Sequence, residues 1–274
     1  MSRTDVSAIV VSYQTGPRLK ECLYALDADP DVSEIILVDN GNPDEMGDWI
    51  ASFASRRENM SVLSGHGNIG FGAAVNLGER QASSPHILVI NPDAVLRWKS
   101  LPHMQDAATD LAAPWIIGGK IFDIFGREER GGRRKELTLF RAMTRTFGWN
   151  TWTLEHTPPP NAPIDIPVIS GAFFLTSKDS YAALSGFDED YFLHVEDIDL
   201  CRRCREAGGR VLYEPRAAAL HYGSTSDAPN RVVQGHKADS LAHYFRKFAK
   251  GAMGRAIVEI CVPLIRLGLW VKGR

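Results

Sequence analysis

The chain has 274 residues, 44% of them hydrophobic, enough to bury one large core or two small ones. Its 31 Lys and Arg against 33 Asp and Glu leave a formal charge of −2, so no global positive field recruits nucleic acid. Four cysteines, Cys22, Cys201, Cys204 and Cys261, are too sparse for a disulfide framework and fit a reducing compartment.

In chain order, Val6–Ser12 reads as a buried strand and 16–28 as a helix with apolar Leu19, Cys22, Leu23 and Leu26. The apolar run Val6–Val11 is too short for a signal peptide, so a cytoplasmic body is expected. A second buried strand covers 34–39, and Pro43 opens a helix reaching Arg57. A short strand at 60–64, a helix over 71–81 and a buried strand at 86–91 follow. Continuous apolar strands separated by helices imply a parallel sheet covered on both faces. The second half is less regular, with strands expected at 115–122 and 168–176 and loops or short helices between them. Arg127–Lys135 contains five basic residues and reads most simply as a solvated mobile loop. A helix over 197–207 closes at Gly208-Gly209 before a strand at 210–213. Cys201 and Cys204 share one face of that helix, and no second CxxC completes a metal site, so they read as core thiols.

Ligands of parallel α/β sheets bind beyond the carboxyl ends of the strands. Here those ends carry Ser12-Tyr13, Asp39-Asn40 and Asn91-Pro92-Asp93. Asp39, before Asn40-Gly41-Asn42, can accept the imide N–H of a pyrimidine or simply cap a turn. Asn68-Ile69-Gly70-Phe71 is a Gly-rich entry to a helix, where backbone amides favour anions, and Asn76 farther along is either a contact or a packing residue. Asp93 is a hard oxygen donor able to hold Mg²⁺ or Mn²⁺ between two phosphates, or else a helix N-cap. Glu196-Asp197 opens a helix whose dipole favours charge there, while Asp188, Glu189, Asp190 and Asp199 nearby disfavour it. A carboxylate in that place can deprotonate a hydroxyl. His221 gains functional weight only if the fold brings it to Asp93.

The last stretch, from His236, carries eight Lys and Arg against Asp239 and Glu259. Within it, 256–271 is apolar but interrupted by Glu259, Pro263 and Arg266, too broken to span a bilayer. It fits an interfacial helix drawn to anionic lipid, with a core or homodimer helix as the alternative.

Taken in order, VSAIVVSYQT, ILVDNGN, NIGFGAAVNLG, LVINPDA, ISGAFFLT, GFDEDYFLHVEDIDLCRRCREAGGRVLYEP and HYGSTS resemble family 2 glycosyltransferases. The likeness is to the rhamnosyltransferase-like branch, which acts in bacterial surface polysaccharide assembly, and it spans about residues 6 to 226. It implies an α/β fold of GT-A type, a Rossmann-like, mostly parallel central sheet flanked by helices. The catalytic domain would cover 1–235, with a nucleotide-binding half (1–93) and an acceptor half (94–235), followed by a basic helical tail (236–274). It implies inverting transfer from a nucleotide-diphosphate sugar, with dTDP-L-rhamnose favoured over a UDP-sugar, to a lipid-linked saccharide at the inner membrane face. By motif position Asp39, Ser12 and Tyr13 line the base pocket, and Asn68, Gly70, Phe71, Asn76 and Asn91 lie along the donor. The resemblance makes Asp93 and His221 the expected metal ligands, Asn91 standing where the family's Asp-x-Asp motif has its first aspartate. By the same resemblance Asp197 would be the base with Glu196 beside it, and Gly171 and Ala172 would shape the sugar pocket. A nucleotidyltransferase is the competing enzyme, but VSYQTGPRLK lacks the basic Gly-rich loop it needs. A non-catalytic sugar- or nucleotide-binding subunit is the third reading.

Overall fold

A computed structural model describes residues 5–129, 131–146, 158, 160–223 and 229–272. Its first half alternates as expected: β1 (Val6–Ser12), α1 (Arg18–Asp27), β2 (Val32–Asp39), α2 (Asp44–Ala54), β3 (Met60–Leu63), α3 (Phe71–Glu79) and β4 (His86–Ile90). The short β5 (Ala94–Leu96), α4 (Ser100–Ala108), β6 (Trp115–Phe122), β7 (Arg133–Arg134) and α5 (Leu139–Thr146) come next. The chain continues through β8 (Ile164–Asp165), β9 (Val168–Ile169), β10 (Phe173–Ser177), α6 (Lys178–Ala183), α7 (Glu196–Glu206) and β11 (Arg210–His221). It ends in α8 (Asn230–Lys247) and α9 (Gly251–Lys272).

Among the described residues the main sheet runs β3-β2-β1-β4-β10-β6-β11-β5, with β8 on the side of β11. The pairs from β3 to β4 are parallel, whereas β10 is antiparallel to both its neighbours, so the sheet is mixed beyond β4. Side chains alternate across it, as a two-residue period requires. Ile9, Val11, Ile36, Val38, Ile87 and Val89 lie on the α3 side, in one core cluster that extends to residues of α6, α7, α8 and α9. Ala8, Val10, Ile35, Leu37, Leu88 and Ile90 face α1, α2 and α4. Two-sided burial explains why these strands read as unbroken apolar runs.

Four features depart from the sequence reading. The strand expected at 168–176 is two strands, broken at Ser170-Gly171-Ala172. The basic stretch 127–135 is not a free solvated loop: Arg133 is buried, and β7 pairs with β9. β11 runs on to His221, with a register irregularity between Glu214 and Ala218 that lets its far end pair with β5. Position 236 falls inside α8, and both C-terminal helices join the core through residues including Tyr244, Phe245, Val262 and Ile265. Cys201 and Cys204 are buried free thiols, each pushed up to about 12 by burial, consistent with a packing role. Ser224-Thr225-Ser226 of the HYGSTS string lie outside the described residues.

Candidate active site

The carboxyl ends of β1, β2 and β4 form a rim, and Asn42 knits its first two strands together. Its side-chain amide donates to Ser12 Oγ (2.6 Å) and to Asp39 Oδ1 (2.8 Å), while its carbonyl oxygen accepts from the Thr15 amide (2.9 Å). Asp39 Oδ1 also accepts from the Gly41 and Asn42 amides at 2.9 and 3.0 Å, so this carboxylate does cap its own turn. Tyr13 lies beside Gly41, whose added Cβ would sit 3.7 Å from the ring. Asn42 went unread in the sequence because its turn composition, Asn-Gly-Asn, masks a side chain that bridges strands.

The Gly-rich entry to α3 is a close-packing device rather than an open anion cradle. Gly70 has φ +84°, and a Cβ there would lie 2.5 Å from the Phe192 carbonyl oxygen. That same oxygen accepts from the Phe71 amide at 3.0 Å, so the helix end is capped by protein. Asn68 stays on the exposed side, accepting from the Gly70 amide (3.1 Å) and the Asn40 side chain (3.3 Å). Asn76 is a buried bridge: its amide donates to Phe187 O and Glu189 Oε1, and its oxygen accepts from the Tyr181 hydroxyl and the Phe187 amide. All four hydrogen-bonding positions of Asn76 are used by the fold.

Past β4, pairing decides which groups meet. In the β11–β5 ladder His221 stands opposite Ala94, and the Tyr222 amide donates to Asp93 O (3.0 Å). His221 Nε2 therefore lies 3.3 Å from Asp93 Oδ1 and 3.4 Å from the Asn91 side-chain nitrogen. On the opposite ring edge, Nδ1 is 3.0 Å from Glu129 Oε1. Burial pulls this imidazole down, but Asp93 and Glu129 outweigh it and push it up to about 10. A buried carboxylate oxygen and a ring nitrogen 3.3 Å apart are a donor pair that one Mg²⁺ or Mn²⁺ accepts in adjacent positions.

Asp197 enters from α7. Its Oδ2 accepts from the Gly171 amide (2.9 Å) and from Arg134 of β7, and its Oδ1 accepts from the Ile198 amide (2.8 Å). Gly171 favours this approach, since an added Cβ would crowd the Asp197 Cβ at 3.1 Å. The next residue, Ala172, accepts from the Asn91 amide at 2.9 Å. One dipeptide thus joins the Asp197 end to the Asn91–Asp93 end. Glu196 is different: it is 6% exposed, and its Oε2 is buried without a hydrogen-bond partner among the described residues. Burial, reinforced by Asp197, pushes its carboxyl up to about 8. Just before the pair, His194 and Val195 both have positive φ (69° and 75°), a strained conformation for a β-branched residue.

Glu129 and Arg134 were also missed by the sequence reading, which gave their stretch to solvent. The overlooked signal was Glu128-Glu129 inside the basic run: Glu128 pairs with Arg133 of that run, and Glu129 meets His221. Asp188, Asp190 and His243 form a second grouping whose ligand atoms lie within 4.8 Å of one another. Lys247 Nζ, however, already sits 2.6 Å from Asp188 Oδ2. Burial raises Asp188, but Lys247, the Asp190 amide and His243 together hold it down at about 2. A divalent cation at this grouping would have to displace that ammonium.

Against known proteins, the model of the family described as "Glycosyl transferase family 2" matches residues 7–184. The chain is 31% identical over 261 residues to N-acetylglucosaminyl-diphospho-decaprenol L-rhamnosyltransferase of Mycobacterium tuberculosis, covering 86% of this chain and 83% of that one. It is 26% identical over 229 residues to rhamnosyltransferase WbbL of Escherichia coli, covering 79% and 83%. Among solved structures, GalNAc-T7 with UDP, GalNAc and Mn²⁺ superposes with a TM-score of 0.64 at 13% identity, over 95% of this chain and 55% of that one. Mannosyltransferase PcManGT of Pyrobaculum calidifontis, in complex with GDP-Man and Mn²⁺, gives 0.63 at 14% identity, over 98% and 74%. At such identities the two structures establish a shared GT-A-type fold.

Proposed function

The chain belongs to glycosyl transferase family 2, and we propose that it transfers L-rhamnose from dTDP-L-rhamnose to a hydroxyl of a lipid-linked saccharide, with inversion. The observation that carries this reading is the Gly171-Ala172 dipeptide, which holds Asp197 through one amide and the Asn91–Asp93 strand end through one carbonyl. A candidate base and a candidate diphosphate site thereby share one rim. The rhamnosyl choice is supported by the activities of the relatives at 31% and 26% identity.

In this reading Asp39, Ser12 and Tyr13 hold the base, and Asp93 with His221 would hold Mg²⁺ or Mn²⁺, which when bound neutralises charge on the departing diphosphate. Asp197 accepts the proton of the acceptor hydroxyl as that oxygen bonds to the anomeric carbon. The bond from that carbon to the diphosphate oxygen breaks on the opposite face, and dTDP leaves. Arg134 and the Gly171 amide orient the Asp197 carboxylate. Glu196 stands beside it, its carboxyl pushed up by burial.

No helix among the described residues is long and apolar enough to cross a membrane. α9 has two apolar faces, however. Val258, Val262, Ile265 and Leu269 are buried, while Met253, Ile257, Ile260, Leu264, Leu267 and Val271 are exposed along the other side. We assign that outer stripe to the surface of an anionic membrane, where a lipid-linked acceptor would reside. Calorimetric titration of dTDP, UDP and GDP, each with and without Mn²⁺, tests the donor site. Tight, metal-dependent binding of dTDP is expected; a preference for UDP or GDP would overturn the donor, and no metal dependence would overturn the cation site.

A further inference from the structure

We propose that Glu129 is a positioning residue of the divalent-cation site. Its carboxylate holds Nδ1 of His221, so that Nε2 is presented beside Asp93. The proposal rests on the reading of Asp93 and His221 as the cation ligands.

The three side chains lie in a row: Asp93 Oδ1 to His221 Nε2 is 3.3 Å, and His221 Nδ1 to Glu129 Oε1 is 3.0 Å. The two nitrogens of an imidazole point away from each other, so an ion bound at Nε2 next to Asp93 lies out of reach of Glu129. Glu129 is therefore placed as an orienting group and not as a third ligand. A carboxylate on the far nitrogen fixes which nitrogen carries the proton, sets the ring plane and raises the basicity of the ligating nitrogen.

Glu129 is itself held by a built hairpin. Its amide donates to Ile121 O (2.8 Å), and its carbonyl accepts from the Gly132 amide (3.1 Å). Asp123 Oδ1 caps the turn by accepting from the Phe125 and Arg127 amides, each at 2.9 Å. Behind it, Glu128 takes a two-pronged bond from Arg133 (2.7 and 3.0 Å) and a hydrogen bond from the Tyr213 hydroxyl (2.8 Å). The neighbouring acid is thus tied into the fold, which leaves Glu129 as the carboxylate aimed at His221. The same hairpin runs on into β7 and the Arg134–Asp197 contact, so it reaches both ends of the rim.

The test is Mn²⁺ titration of the full chain, followed by electron paramagnetic resonance, in saturating dTDP and in parallel in saturating UDP. Wild type is compared with Glu129→Gln, Glu129→Ala and Asp93→Asn, and metal-free nucleotide binding and the melting temperature are measured on each. Both Glu129 variants are expected to weaken Mn²⁺ binding by roughly 10–100-fold, the range for lost orienting partners of metal ligands. Metal-free nucleotide binding should stay at its wild-type value, a split that a purely structural role would not produce. Unchanged Mn²⁺ affinity in the Glu129 variants, with binding lost in Asp93→Asn, would overturn the role of Glu129 while leaving the ligand pair intact. Weakened metal-free nucleotide binding in the Glu129 variants would make it a structural residue instead. Mn²⁺ binding absent in wild type, or unaffected by Asp93→Asn, would remove the ligand pair and this proposal with it.

Discussion

At the scale of single residues, Glu196 and Asp197 show how two adjacent acids come to differ. Asp197 is ion-paired with Arg134 and bonded by two amides, whereas Glu196 is buried with an unpartnered oxygen and raised to about 8. If Asp197 is the base, Asp197→Asn should lower transfer by about 10²–10⁴-fold while nucleotide binding is retained, as calorimetry would show. Glu196 makes a separate pH prediction. Its folded value lies above its ordinary 4.5, so its contribution to stability is full below that pH and is lost as pH rises through about 8. Glu196→Gln should therefore melt above wild type at pH 9 by at least roughly 2–4 °C, about 1 kcal/mol for a chain of this size. The gap should close near pH 4.5, and a constant gap across that range would remove the buried-acid account. Asp93, His221 and Asp197 could be singled out in the sequence because each sits in a recognisable string. Glu129, Arg134 and Asn42 could not, since their importance arises from partners 92, 63 and 30 positions away.

At the scale of elements, the sequence carried β1 through β4 because burial on both faces leaves an apolar run that periodicity detects. It did not carry the break between β9 and β10, which exists so that Gly171 and Ala172 can turn their backbone groups toward Asp197 and Asn91. Nor could it place α3 against the Phe192 segment. Gly70→Ala should destabilise the protein by about 1–3 kcal/mol in chemical denaturation, since both the positive φ and the contact with Phe192 O oppose a side chain. α9 allows its two faces to be tested apart. Ile265→Ala, on the buried face, should lower stability by about 2–5 kcal/mol. Ile260→Glu, 69% exposed, should leave the melting temperature unchanged yet reduce partitioning onto anionic vesicles by roughly tenfold or more, the free energy of one buried Ile. Unchanged partitioning together with an altered sedimentation coefficient would give the stripe to a second copy of the chain.

At the scale of the whole molecule, a mixed sheet, a basic hairpin and two C-terminal helices bring together groups drawn from the entire length of the chain. The sheet supplies the rim at Ser12, Asp39 and Asp93. The long β11 returns His221 to the start of β5, and the hairpin links His221 to Glu129 and Asp197 to Arg134. In the proposed reading, cation ligands and base therefore share one scaffold, as displacement at a sugar carbon with inversion requires. The most direct measurement is transfer of labelled rhamnose from dTDP-L-rhamnose to an N-acetylglucosaminyl-diphospho-prenol acceptor by wild type, Asp197→Asn and Asp93→Asn. Divalent-dependent transfer by wild type, lost in both variants with the product inverted at the anomeric carbon, is the expected result. Transfer undiminished in Asp197→Asn, or a wild type that moves no rhamnose at all from this donor, would contradict the account.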